Sequence, residues 1–233
     1  MKMSMEIISE YLETYQGRDK FLRALSYLAK FATISTSSKE METKFKIFSS
    51  QMSGCRVILR LLDDIPTLHY AMSYEWGKKE PDWILRWAEL VQIAVDIVYN
   101  PVEHICWAGD KKLMNIDINQ WDNASTWFWI ISLHLSLIKS LRKLHQLNNS
   151  KQHLRENNQL KGSMSSINKG KHNELLTCTR LILDISYAVS YLPPGVLWGG
   201  KFKTWQIGAL GTVSSLIGLY QALNKCVQEK KCS

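Results

Sequence analysis

The chain has 233 residues, 45% of them hydrophobic, and a formal net charge of +8. That length allows one large domain or two small ones with an ample core, and a mean hydropathy of −0.17 excludes a bundle made mostly of membrane spans. The charge is uneven: residues 1–123 hold 15 Lys/Arg and 17 Asp/Glu, whereas residues 124–233 hold 14 and 4. The basic C-terminal half points to an anionic partner, nucleic acid or anionic lipid, or to a solubilising loop.

Helical periodicity runs nearly throughout, with five prolines as punctuation. The start, Met1 to Tyr11, lacks an apolar stretch and predicts no secretory signal. A first helix is predicted from about Met5 to Ala32, kinked at Gly17. A second runs from about Lys39 to Ile65, with Met41, Phe45, Phe48, Met52, Cys55, Leu59 and Leu62 repeating at four and three, and Pro66 ending it. Pro81 suits the first turn of a third helix carrying Trp83, Trp87, Leu90, Val91, Ala94 and Val98, which Asn100-Pro101 breaks.

Residues 124–141 are uncharged up to Lys139. They fit a short span, with Lys139, Arg142 and Lys143 snorkelling, or equally an interfacial or core helix. Residues 142–173, rich in Asn, Ser, Gln and Lys, read as a disordered basic linker. Leu175 to Leu192 reads as an amphipathic helix in which Arg180 and Asp184 pair at i,i+4. The stretch from Trp205 to Leu223 has no charge, and Gly208, Gly211, Ser215, Gly218 and Ala222 fall on one stripe at three-four spacing. Three glycines weaken a water-exposed helix by roughly 1 kcal/mol each, whereas small residues let helices pack closely in lipid. This segment is predicted to span.

No catalytic motif is visible: there is no GxSxG, P-loop, GxGxxG or HExxH. Asp63-Asp64 reads as a helix-end acid pair, and Glu103, His104 and Cys106 lack a second cluster to complete a metal site. The five scattered cysteines speak against a disulfide framework. Cations and aromatics fall in different segments, which argues against nucleic-acid binding. No enzyme, cofactor or metal is therefore predicted. The Lys39–Ile65 helix is the sharper candidate. Lys44 and Arg60 lie about 80° to either side of its Met52 stripe and Arg56 about 40° from it, a geometry for lying in a membrane interface with cations on phosphates, or for packing in a bundle.

Five stretches carry a resemblance: Tyr15–Lys20, Cys55–Asp64, Pro101–Trp107, Leu192–Gly200 and Gly208–Gln221. Together, in this order, they resemble the peroxin-11 family of peroxisomal membrane proteins, most closely its gamma form. The resemblance implies a protein of the peroxisomal membrane that elongates, proliferates and divides the organelle, with both termini cytosolic. It also implies self-association or pairing with other family members, entry through the peroxin-19 receptor, and work with tail-anchored fission adaptors and a dynamin-like GTPase. Some relatives are linked to metabolite channels; that role, and a soluble helical adaptor, are the alternatives.

The expected architecture is thus all-α: a membrane-associated helical bundle with amphipathic helices and one or two transmembrane segments. Its parts are an N-terminal amphipathic region 1–123, a candidate membrane segment 124–141, the linker 142–173, and C-terminal helices 174–233 including the span 205–223. Lys44, Phe45, Phe48, Met52, Arg56 and Arg60 are the expected contacts to anionic phospholipid, and Gly208, Gly211, Ser215, Gly218 and Ala222 the expected helix-packing surface in the membrane.

Overall fold

The computed structural model describes residues 2–36, 38–156 and 161–232. The described residues form eight α-helices and no strand: α1 Lys2–Glu13, α2 Tyr15–Ala32, α3 Lys39–Arg60, α4 Asp64–Ser73, α5 Trp83–Asp110, α6 Ile118–Glu156, α7 Lys161–Val189 and α8 Thr204–Cys232. Each long helix packs on the next in the spatial order α3, α2, α8, α7, α6, α5, with α1 on α2 and α8 and α4 on α5.

The core sits where α2, α6, α7 and α8 converge. Ile130 and Leu133 of α6 meet Leu181, Ala188 and Val189 of α7 and the following Leu192. Beside them Tyr27 of α2 packs on Tyr187 of α7 with ring centroids 5.1 Å apart, and Ile207 of α8 joins this pair. Trp129 of α6 reaches Tyr187 at 5.7 Å and belongs to both clusters. Tilted aromatic packing of this kind adds about 0.5–1.5 kcal/mol per pair beyond area burial.

Several boundaries differ from the sequence reading, each for a local reason. The first helix divides at Thr14, not Gly17. Thr14 caps α2 by accepting the Gly17 amide at 3.0 Å, and Gly17 lies so close to the Tyr11 carbonyl that a Cβ there would sit 1.8 Å from its oxygen. The second helix ends at Arg60. Pro66 then lies in the first turn of α4, where its missing N–H costs nothing. Pro81 precedes the N-cap, which is Asp82; its Oδ1 accepts the amides of Ile84 and Leu85 at 2.9 and 3.2 Å. Pro101 does not break α5, because tertiary packing holds the turn beyond it, where Val102 and Glu103 are buried.

The stretch expected to be a disordered linker is helical wherever it is described, at 142–156 and 161–173, as the end of α6 and the start of α7. Its polar side chains find tertiary partners: Arg142 Nε donates to Asp82 at 2.7 Å, Gln146 donates to the same carboxylate at 2.9 Å, and Lys151 Nζ donates to Asn168 across the α6–α7 pair at 2.8 Å. Composition alone does not register such pairing.

Among the described residues, no helix is long and apolar enough to cross a membrane. Of the segments expected to span, 124–141 lies in mid-α6, with Ile130, Leu133 and Ser140 buried in the bundle and Trp127, Ile131, Ile138 and Leu141 outward. Lys139 pairs with Glu89 at 2.7 Å instead of snorkelling. Residues 205–223 lie in α8 and pack on α2 and α7.

Candidate functional site

The face by which α3 docks is set by Ser49, buried against α2 with its Oγ 3.0 Å from Ser26 Oγ and its carbonyl accepting the Ser26 hydroxyl at 3.0 Å. Phe45 and Met52 are half-buried near this seam, and Phe48 is exposed. Lys44 stands on the open side, 2.6 Å from Glu40 of its own helix. Arg56 and Arg60 turn inward: Arg56 Nε donates to Asp19 of α2 at 2.8 Å, and Arg60 Nη2 lies 2.5 Å from Glu103 of α5.

Burial works against the charge on Arg60, and Tyr99, Glu103 and Asp19 together outweigh it. Burial also pushes the Glu103 carboxyl up, only partly offset by Arg60. The two arginines expected on lipid phosphates thus serve as latches holding α3 on α2 and α5. Glu103 also accepts the Tyr99 hydroxyl at 3.1 Å, and His104 Nε2 lies 3.2 Å from the Leu61 carbonyl. Burial, with Asp122 beside it, pushes the Cys106 thiol up to about 12.

The most exposed large apolar side chains on α4, α5 and the turn between them form a surface that the sequence reading did not single out as a lipid face. Trp83, Trp87, Val91, Ala94, Val98 and Pro101 recur at four, four, three, four and three along α5, and all are exposed. Trp83 is 68% and Trp87 62% accessible, and on α4 Ile65 and Met72 reach 78% and 81%. The opposite face of α5 is sealed against α6, where Gln92 donates to Ser132 at 2.7 Å. Tyr70 ties α4 to α5 by donating to Glu89 at 2.7 Å.

Between the two helices, Glu75, Trp76 and Gly77 have φ of 46°, 58° and 69°. A bulky residue in the left-handed region costs on the order of 1–3 kcal/mol. Arg86 Nε holds this turn by donating to the Trp76 carbonyl at 2.8 Å, and the indole of Trp76 is left 74% accessible. Tryptophans spaced along one helix face were the available signal, since Trp favours membrane interfaces.

The first part of the glycine stripe of α8 is occupied within the chain. A Cβ on Gly208 would lie 2.3 Å from the Phe31 backbone nitrogen, and one on Gly211 would lie 2.2 Å from the Tyr27 ring. The α2 and α8 backbones meet here closely, as small residues permit. Ser215 is buried, Gly218 lies under Arg180, and Ala222 is half-buried farther along. Val213, Leu216 and Tyr220 take the outward face of α8.

Arg180 does not pair with Asp184. Arg23 of α2 takes that carboxylate at 2.6 Å, and the same guanidinium nitrogen lies 3.0 Å from Tyr187 Oη and from Ser214 Oγ. Ser214 of α8 also donates to Asp184. The buried centre of the bundle is therefore a polar knot of α2, α7 and α8 inside an aromatic shell.

The sequence model of the family Peroxisomal biogenesis factor 11 (PEX11) matches residues 5–223. The chain is 33% identical to human Peroxisomal membrane protein 11C over 230 residues, 94% of each chain. It is 31% identical to the mouse Peroxisomal membrane protein 11C over 227 residues, 93% of each. It is 25% identical to Peroxisomal membrane protein PMP27 of Saccharomyces cerevisiae over 141 residues, covering 58% of this chain and 57% of that one. No solved structure matches. By the extent of the family match and by the human and mouse relatives, this chain belongs to the peroxisomal biogenesis factor 11 family.

Proposed function

We propose that the chain resides at the peroxisomal membrane and promotes elongation, proliferation and fission of the organelle by wedging apolar helix faces into one leaflet. Family membership supports the peroxisomal role and membrane shaping. The observation that carries the mechanism is the uncovered face of α4 and α5, with Ile65, Met72, Trp76, Trp83 and Trp87 each more than three-fifths exposed. Monomeric soluble proteins rarely expose contiguous apolar surface of more than a few hundred Å², and larger exposures mark protein or membrane interaction. Three tryptophans commit this one to the interface between headgroups and acyl chains.

The wedge therefore shifts from the residues first expected. Phe48 joins the lipid face with Ile47 and Ile58, which are also exposed on α3. Phe45 and Met52 reach lipid only if α3 swings off α2, which the Arg56–Asp19 and Arg60–Glu103 pairs oppose. Lys44 is the member of the expected cationic set on the open side. Attachment in this reading is along helix faces and does not require the one or two expected spans; among the described residues no helix is long and apolar enough to cross. Self-association uses a surface other than Gly208 and Gly211, which α2 already covers. Peroxin-19, tail-anchored fission adaptors, a dynamin-like GTPase and cytosolic termini enter this proposal through the family resemblance alone.

The test is flotation of the full chain with anionic vesicles. Moving one tryptophan from water to apolar surroundings contributes about 1.5 kcal/mol or more. The double variant Trp83→Glu/Trp87→Glu is therefore expected to lower vesicle affinity about 100-fold. Unchanged flotation with unchanged helicity would remove α5 from the interface.

A further inference from the structure

A cleft of about 1200 Å³ opens between α7 and α8 and is closed at one end by α2. Its cationic lining comes from all three helices: Lys20 of α2, Lys169 and Arg180 of α7, and Lys225 of α8. No Asp or Glu stands among the described residues that line it. Gln221 of α8 bridges the walls, its Nε2 2.9 Å from the Asn173 carbonyl oxygen, Asn173 Oδ1 and Thr177 Oγ1 of α7. This polar tie sets the separation of the two walls at that level.

Its floor is Arg180. The Nε of this guanidinium is buried and has no hydrogen-bond partner. The acid one turn along, Asp184, is already engaged by Arg23 and Ser214. Gly218 faces Arg180 across the floor, where a Cβ would lie 3.4 Å from Nη1, so a longer side chain would occupy the space above the guanidinium. Burial lowers the pKa of both Lys20 and Arg180, and Arg180 lowers that of Lys20 further, while Asp19 and Asp184 offset these shifts only in part. On the outer rim Lys225 has Glu229 at 3.9 Å.

A half-buried guanidinium whose Nε is unpartnered and whose neighbouring acid, Asp184, is already engaged by Arg23 is costly for the fold, and part of that cost is recovered when an anion enters. A planar guanidinium on the floor, with ammonium groups around it, matches a tetrahedral dianion, since Arg binds phosphate by paired charge-assisted hydrogen bonds and Lys adds point charges. We propose that the α7–α8 cleft binds a phosphate monoester, as a lipid headgroup or as a soluble phosphate ester, with Arg180 on the phosphate and Lys20 and Lys225 flanking it. This site is separate from the α4–α5 face and does not rest on the wedge mechanism. It also gives the basic C-terminal half a specific use.

The experiment compares the full chain with Arg180→Gln and Gly218→Leu, the second filling the floor while leaving every charge in place. Inorganic phosphate and pyrophosphate are titrated with thermal unfolding as the readout. Both anions are expected to raise the wild-type midpoint, and both substitutions to weaken the apparent affinity about tenfold or more. Without ligand, Arg180→Gln is expected to melt no lower than the wild type, because it removes an unpartnered cation. A second arm floats the proteins with phosphatidylcholine vesicles holding phosphatidic acid, or phosphatidylserine at equal charge. A preference for phosphatidic acid that is lost in Arg180→Gln assigns the headgroup. A response to free phosphate without that preference assigns a soluble ester. No response in either arm, or an Arg180→Gln variant that is destabilised yet titrates like the wild type, overturns the proposal. In Trp83→Glu/Trp87→Glu the free-phosphate response is expected to survive, so failure of the wedge and failure of this site read differently.

Discussion

Arg23 on α2 and Asp184 on α7 meet at 2.6 Å, and Ser214 of α8 hydrogen-bonds the same carboxylate oxygen, so one charge pair ties three helices together. Asp184 is nearly sealed from solvent and Arg23 is not fully exposed. Removing one partner of such a pair leaves an uncompensated charge, at a cost of about 3 kcal/mol or more. Asp184→Ala is expected to lower stability by that amount in chemical denaturation, and Asp184→Asn by less, since the amide oxygen still accepts hydrogen bonds. Equal, small effects of the two would mean that the knot does not hold the bundle.

Among the helical glycines, Gly54 responds to alanine in the opposite direction from Gly208 and Gly211. Gly208 and Gly211 have no room for a Cβ, whereas Gly54 on α3 has nothing within 4 Å of that position. Gly208→Ala and Gly211→Ala are expected to destabilise by roughly 1–3 kcal/mol, as overpacking does. Gly54→Ala is expected to stabilise by roughly 0.5–1 kcal/mol through helix propensity and unfolded-state entropy. Thermal melts of the three single variants test this pairing of α2 with α8.

Glu89 carries an acid-side dependence. Burial alone would raise its pKa, but hydrogen bonds from Lys139 and Tyr70 outweigh burial and hold it below the usual glutamate value. A carboxyl depressed in the folded state adds stability that is fully present above its unfolded pKa and is lost as pH falls through the folded one. Below about pH 4.5 the α5–α6 seam should therefore weaken, and Glu89→Gln should flatten that part of the stability–pH curve. Urea midpoints measured from neutral to acid pH check the sign.

The α3 latches are a dynamic prediction. Asp19→Asn with Glu103→Gln removes both carboxylates that hold Arg56 and Arg60. Amide exchange along α3 is expected to rise about tenfold, while the α6–α7 core stays protected. If α3 is unaffected, the apolar seam around Ser49 alone holds it.

Helix class and the small-residue line on α8 were legible because both are written in local spacing. Gly208 and Gly211 do mark a close helix approach, but spacing cannot name the partner, which is α2, far upstream at its Tyr27–Phe31 turn. Arg180 and Asp184 satisfy the i,i+4 rule and still do not pair, because Arg23 arrives from α2 with a better geometry. Pro101 was read as a stop for want of any sign that Arg60 and the α6 seam hold the residues beyond it. The helical course of the polar stretch 142–173, where it is described, has a related reason: Asp82, which holds Arg142 and Gln146, lies outside the window that composition samples. The tryptophans of α5 were visible as a stripe, and only their exposure distinguishes a lipid face from a core.

The central claim is that apolar faces of α4 and α5 bend the membrane. The most direct measurement is electron microscopy of anionic vesicles incubated with the full chain and with Trp83→Glu/Trp87→Glu at equal bound protein. Tubules with the wild type and spheres with the variant are the predicted result. Tubulation by the variant at the same bound density would contradict the account.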